Sequence, residues 1–207
     1  MPSSDRTAAE LARRRHWLFD MDGTLTRAMH DFDAMRETLG LPAGMPILEA
    51  LDAMEAGERQ RKRAALDALE LDMAADADVQ PGCIALLDAL VARGESLAIV
   101  TRNGADIARA TLAACGLERF FPDGTVISRD DDCAPKPDPA PVHLALSRLS
   151  AEADEAVMVG DYLFDLRAGR DAGTLTVHLD VDGAYPWPEV TDIGVRSLDE
   201  LHELIKR

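Results

Sequence analysis

Short runs of apolar residues recur along the chain, and between them the apolar positions shift to helical spacing. Runs too short for a helix, bounded by turn-forming residues, read as buried strands at 17–19, 97–100, 125–128, 156–159 and 175–178. A period near 3.6 residues places helices at 105–114, 141–149, 166–172 and 198–205. A further helix runs from about Pro81-Gly82 to Gly94, with Ile84, Leu87, Leu90 and Val91 on one face. Gly116 and Gly173 follow two helix ends, where glycine accepts the left-handed conformation that closes a helix. Strands alternating with helices in this way build an α/β fold, an open parallel sheet flanked by helices.

One region breaks the alternation. Residues 27–78 contain no convincing strand, only helical patterns at 31–39, 47–56 and 58–75. Such a segment is an insertion after the first strand. It divides the chain into a sheet-bearing core, 1–26 with 79–207, and a small α-helical cap, 27–78, over the sheet edge from which it emerges.

At 207 residues with 47% hydrophobic content, the chain can bury a full core. No stretch approaches the roughly 18 consecutive apolar residues of a membrane span. The N-terminus has arginines but no apolar run, and Asp5 and Glu10 argue against a transit peptide. Cys83, Cys115 and Cys133 are odd in number and lack metal-ligand spacing, which points to a reduced, cytoplasmic setting. A net charge of −16 disfavours nucleic acid and anionic membranes as partners. It would also repel a phosphorylated ligand, so any phosphate chemistry must rest on a local reversal of the field. Nothing in the sequence calls for an oligomer, and a monomer is the default.

The most informative stretch is Trp17-Leu-Phe-Asp20-Met-Asp22-Gly-Thr-Leu-Thr26. A buried strand ends in two carboxylates separated by one residue, which puts both on one face of an extended chain. Gly23 then permits a sharp turn. Two acids so close raise each other's pKa, which a divalent cation or a shared proton would resolve. A solvated surface turn is the plain alternative. Three later segments weigh against it. Thr101 ends the strand at 97–100, Asp161 and Asp165 follow the strand at 156–159, and Lys136 lies in a proline-stiffened loop ahead of a helix. Ligands of open parallel sheets bind at the carboxyl ends of the strands, so these groups can gather at one edge. Lys136 is the least constrained, because several residues separate it from the preceding strand.

The ordered set Asp20-x-Asp22-Gly-Thr-Leu-Thr26, Thr101, Lys136 and Gly160-Asp161-x-x-x-Asp165 resembles the four motifs of the haloacid dehalogenase-like hydrolase superfamily. The likeness spans residues 17 to about 180, and the insert sits where the branch of phosphoglycolate phosphatases and β-phosphoglucomutases carries its helical cap. The resemblance implies a Rossmann-like core and a phosphatase that uses Mg2+ and an aspartyl-phosphate. Asp20 would be the nucleophile and Asp22 the general acid and base. Thr101 and Lys136 would hold the phosphoryl group, and Arg102 and Asn103, which follow Thr101 directly, are placed to meet the phosphate or substrate. Asp20, Asp161 and the backbone carbonyl of Asp22 would bind the metal, with Asp165 binding through water or orienting Lys136. Tyr162 stands where members of the family often have a serine or another small residue. The implied partner is a small phosphorylated metabolite, its identity unread.

Other readings fare less well. A calcium loop needs acids at positions one, three and five and glycine at six, whereas glycine is fourth from Asp20. A phospho-aspartate receiver shares the residue types, but its acid pair precedes a separate phosphorylated aspartate. Haloalkanoate dehalogenases lack an acid at the position of Asp22. Sugar phosphomutases share all four motifs. The basic cluster Arg59, Arg61, Lys62 and Arg63 reads as a solvated face beside Glu55 and Glu58 rather than a substrate site. His30 and Asp31 stand near the entrance to the cap without a firm role, as does Pro186-Trp187-Pro188 near the C-terminus, and Cys83 reads as a buried, inert thiol.

Overall fold

The computed structural model describes residues 9–27 and 32–206. Six strands form one sheet: β1 (His16–Phe19), β2 (Ser96–Val100), β3 (Val126–Ile127), β4 (Ala156–Gly160), β5 (Leu175–Leu179) and β6 (Ile193–Val195). Their order is β3-β2-β1-β4-β5-β6, and every neighbouring pair is parallel. Phe19 lies opposite Ile99 on one side and Val159 on the other, so the three central strands end within a residue of one another.

The side-chain period of two splits each strand between two cores. Trp17, Phe19, Ile99 and Val159 face helices α4 (Cys83–Ala92), α5 (Ala105–Ala114) and α8 (Leu198–Ile205). Leu18, Ala98, Val100 and Met158 face α6 (Ala140–Leu149) and α7 (Leu163–Ala172). Both faces are covered, which is why these strands read as continuous apolar runs. Burying each large side chain stabilises the fold by about 1.5–3 kcal/mol.

Between β1 and α4 come α1 (Phe32–Leu39), α2 (Ile47–Asp52) and α3 (Ala56–Ala74). They share an apolar cluster of their own, Met35, Leu39, Ile47, Leu51 and Leu66. The chain enters and leaves this segment side by side. The Arg27 N–H donates to the Asp78 carbonyl at 2.8 Å, and the Gln80 N–H donates to that of Leu25 at 2.9 Å. Among the described residues, no helix is long and apolar enough to cross a membrane.

Three details differ from the sequence reading. The sixth strand, Ile193–Val195, is too short to stand out as an apolar run. Helix α7 begins at Leu163 rather than 166, because the Asp165 carboxylate caps it by accepting from the Tyr162 N–H at 3.1 Å. Helix α4 buries Leu87 and Leu90 as expected but turns Cys83 and Leu86 inward in place of Ile84 and Val91. Cys83, Leu86, Leu87 and Leu90 are buried, while Ile84 and Val91 are 40% and 51% exposed. This helix is apolar around most of its circumference, so periodicity alone could not choose between two stripes one residue apart.

The two stripes separate on mutation. Leu87→Ala is expected to cost about 2–5 kcal/mol in urea unfolding, and Ile84→Ala within about 0.5 kcal/mol. Equal losses would show that the helix presents the other face.

Candidate active site

Because β1, β2 and β4 are adjacent and end level, the residues that follow them meet at one edge. Asp20 follows β1, Thr101 follows β2 and Asp161 follows β4. Lys136 reaches the same place from the loop before α6. Its Nζ donates to Asp20 Oδ1 and to Asp165 Oδ1, each at 2.5 Å, and the residue is 2% exposed. The Tyr162 backbone N–H donates to the other oxygen of Asp165, so that carboxylate is fully engaged in holding Lys136 and capping α7.

Two glycines make this approach possible. A Cβ on Gly160 would stand 2.2 Å from that of Asp165, and one on Gly23 would stand 2.3 Å from Asp161 Oδ2. Gly23 also has a φ of +84°, a conformation open to glycine. The turn it makes lets the Thr24 hydroxyl donate to Asp161 Oδ1 at 3.1 Å.

Asp22 points to the same region. Its Oδ2 accepts from Asn103 Nδ2 at 2.7 Å. The Asn103 backbone N–H donates to Thr101 Oγ1 at 3.1 Å, which orients that hydroxyl. Arg102 turns toward the inserted helices: Nη2 donates to Glu49 Oε1 at 2.6 Å, and its guanidinium lies 4.9 Å over the Phe164 ring.

Negative charge is in excess. Burial pushes the Asp20 carboxyl well above its usual range, Asp165 adds to this, and the nearby Lys136 only partly opposes them. Burial, reinforced by Asp165, lifts Asp161 to about 7. Burial alone would lower Lys136, yet Asp165 and Asp20 hold its ammonium above its ordinary value. One lysine therefore does not balance the acids around it. Oxygens of Asp20, Asp161 and Asp165 lie within 4.8 Å of one another. Clustered carboxylate oxygens with unneutralised charge fit a hard divalent cation such as Mg2+.

These groups border a cavity of about 430 Å³ roofed by Pro46, Ile47, Leu48 and Leu66. Every site residue expected from the sequence lines it: Asp20, Asp22, Thr101, Arg102, Asn103, Lys136, Asp161 and Asp165. The cluster at 59–63 does not. Arg59 bonds the Asp52 carbonyl at 3.4 Å, Lys62 bonds that of Leu39 at 2.5 Å, and Arg63 pairs with Asp67 at 3.7 Å. The cavity instead receives Arg36 and Arg129, which the sequence reading missed, together with Tyr162 and Phe164. Arg129 could have been found by extending the strand-end rule to β3, which it follows by two residues. His30 and Asp31 lie outside the described residues. Trp187, without a role in the sequence, stacks on His178 at 5.2 Å, and His178 Nε2 lies 3.3 Å from the Asp161 carbonyl. Burial, aided slightly by Cys115, pushes the Cys83 thiol up to about 12, as an inert thiol requires.

Comparison with known proteins agrees with this geometry. Residues 17–179 match the model of the haloacid dehalogenase-like hydrolases. The chain is 34% identical to a phosphoglycolate phosphatase of Rhodospirillum rubrum over 77% of each protein. It is 48% identical to the pyrophosphatase PpaX of Bacillus velezensis, over 44% of this chain and 41% of that protein. Among solved structures, a hydrolase from Pseudomonas syringae shares the fold with a TM-score of 0.77 at 21% identity, over 93% of this chain and 98% of that one. CbbY of Rhodobacter sphaeroides, solved with phosphate, has a TM-score of 0.70 at 23% identity, over 91% and 96%. The chain belongs to the haloacid dehalogenase-like hydrolase family, in its phosphoglycolate phosphatase-like branch, and is an enzyme of the phosphatase type.

Proposed function

We propose that the chain is a magnesium-dependent phosphomonoester hydrolase that acts on a small phosphorylated metabolite through an aspartyl-phosphate on Asp20. The observation that carries this reading is the Asp20–Lys136–Asp165 contact, 2.5 Å on each side, at the floor of the cavity and beside Asp161.

A phosphate ester carries negative charge, and so does the nucleophile it must meet. At about 4 Å and intermediate dielectric, two such charges repel by roughly 4 kcal/mol. Lys136 offsets part of this by holding one oxygen of Asp20 while the other oxygen attacks phosphorus. A divalent cation held by Asp20, Asp161 and the Asp22 backbone carbonyl would supply the remaining positive charge and polarise the phosphoryl group. Thr101 accepts from the Asn103 N–H, which leaves its own proton for a phosphoryl oxygen. As the Asp20–phosphorus bond forms, the bond to the leaving oxygen breaks. Asp22, fixed by Asn103, gives that oxygen its proton. Asp22 then takes a proton from water, whose oxygen attacks phosphorus and frees Asp20 and phosphate. Asp165 positions Lys136.

In the same proposal, 27–78 acts as a cap distinct from the core. The separate apolar cluster of α1–α3 and the hydrogen-bonded entry and exit segments support that division. A cytoplasmic setting suits the unpaired Cys83, Cys115 and Cys133.

Asp20→Asn is expected to cut phosphate release from p-nitrophenyl phosphate at least about a thousandfold while the chain still folds, since Asp165 continues to pair with Lys136. Retained turnover in that variant would refute the mechanism. The metal reading has its own test. A carboxyl raised to about 7 in the folded chain keeps a proton that the unfolded chain, at 3.8, has lost. Folding stability contributed by Asp161 therefore falls as pH rises through that window. In EDTA, the wild-type urea midpoint should drop between about pH 4 and 7 more than that of Asp161→Asn. Millimolar Mg2+ should raise the wild-type midpoint more at about pH 8 than at about pH 5, because it favours the deprotonated acids. An equal Mg2+ response in the wild type and Asp161→Asn would rule Asp161 out as a ligand.

A further inference from the structure

The phosphoryl chemistry uses one wall of the cavity and leaves the other unexplained. There Tyr162, 52% exposed, meets Phe164 edge-on at 5.1 Å and Trp187 at 5.3 Å. The Arg102 guanidinium covers the other part of Phe164, and Ile47 and Leu48 of α2 stand above. An exposed Tyr162 ring and a half-buried Phe164 beside an aliphatic roof are suited to packing against a ring.

Charge narrows the choice further. Among the described residues, every cationic side chain lining the cavity is already matched by carboxylates. Arg36 pairs with Asp33 at 2.5 Å, Arg102 with Glu49 at 2.6 Å, and Lys136 with Asp20 and Asp165 at 2.5 Å. Arg129 pairs with Asp67 and, at 2.9 Å, with Glu70. The carboxyl groups of Asp22 and Asp161 line the same space. A leaving group that carries a carboxylate or a second phosphate would compete with these carboxylates for the same cations, most steeply at Lys136 and Arg129, which are buried. Size points the same way. At no more than a water's share of about 30 Å³ per heavy atom, the nine heavy atoms of a two-carbon phospho-acid occupy less than about 270 Å³. The cavity measures about 430 Å³.

We infer that the wall formed by Tyr162, Phe164 and Arg102 is a leaving-group subsite for an uncharged, hydroxylated ring, as carried by a monosaccharide phosphate or a nucleoside monophosphate. This rests on the phosphomonoesterase reading above and deepens it. Tyr162 is the specificity residue: it contributes a ring face that a serine at this position would lack.

The test measures kcat/KM of the full chain with Mg2+ on glucose 6-phosphate, ribose 5-phosphate and adenosine 5′-monophosphate. Comparison substrates are phosphoglycolate, fructose 1,6-bisphosphate and, as a small ring-free donor, acetyl phosphate. At least one ring monoester should exceed phosphoglycolate and the bisphosphate by about tenfold or more. Preference among the three ring esters separates a monosaccharide from a nucleoside. Tyr162→Ser should raise KM for the preferred ring ester about fivefold or more, and Tyr162→Phe, which keeps the ring, should restore it. Preference for phosphoglycolate or the bisphosphate, or a KM unmoved by Tyr162→Ser, overturns the subsite. Release from acetyl phosphate alone overturns it too, while sparing the phosphatase reading. No release from any of the six brings down that reading and the subsite with it.

Discussion

A buried ammonium held between two carboxylates is the contact on which the rest of the site depends. Lys136 is almost without solvent, so its desolvation must be offset locally, and Asp20 and Asp165 do so at 2.5 Å each. The arrangement joins three distant parts of the chain: the end of β1, the loop before α6 and the first turn of α7. None can shift alone without leaving a buried charge unmatched. The absence of a side chain at Gly160 follows from this, because Asp165 occupies the space a Cβ would need. So does the early start of α7, whose cap is the second oxygen of the same carboxylate.

That contact leaves the cluster short of positive charge. The chain as a whole is strongly acidic, with a net charge of −16, and the site is acidic in its turn. A solvated protein tolerates the first easily; the second costs folding free energy where Asp20 and Asp161 are buried, which is why both resist ionisation. A site arranged only for stability would have fewer acids. Acids gathered at a cost to stability, beside an engaged lysine and under a cavity, are the physical sign of a place meant for a cation and an anion together.

The sheet and its edge were legible because burial on both faces writes strands as apolar runs, and because functional groups of such sheets follow strand ends. Asp20, Thr101 and Asp161 could be placed by that rule alone. Lys136 was placed there less firmly, since its position depends on the path of the loop before α6, and the resemblance to family motifs strengthened the assignment. The buried face of α4 was read one residue out of phase, because an apolar circumference carries no phase. Arg36 and the aromatic wall escaped notice for another reason: they reach the cavity through tertiary packing between the inserted helices and the sheet edge, which no local pattern records, whereas Arg129 follows the end of β3 and the same rule would have reached it. Tyr162 was visible as a departure from the motif, but its meaning needed Phe164, Trp187 and Arg102 around it.

Besides the packing of α3 against α5, the inserted helices meet the core through ion pairs at the cavity itself. Arg102 leaves the end of β2 to reach Glu49 on α2, and Arg129 leaves the end of β3 to reach Asp67 and Glu70 on α3. In each case the arginine belongs to the sheet edge and the carboxylate to the helices above it. The roof of the cavity is thereby tied to residues beside Thr101 at its floor. Arg102 follows Thr101 directly, so moving α2 pulls on the same turn that orients the Thr101 hydroxyl through Asn103. On the proposed mechanism, recognition of the leaving group and orientation of the phosphoryl group share one short segment, 101–103. In such a site the ring that packs against Tyr162 and Phe164 also acts on the geometry of transfer, so leaving-group binding bears on kcat as well as KM.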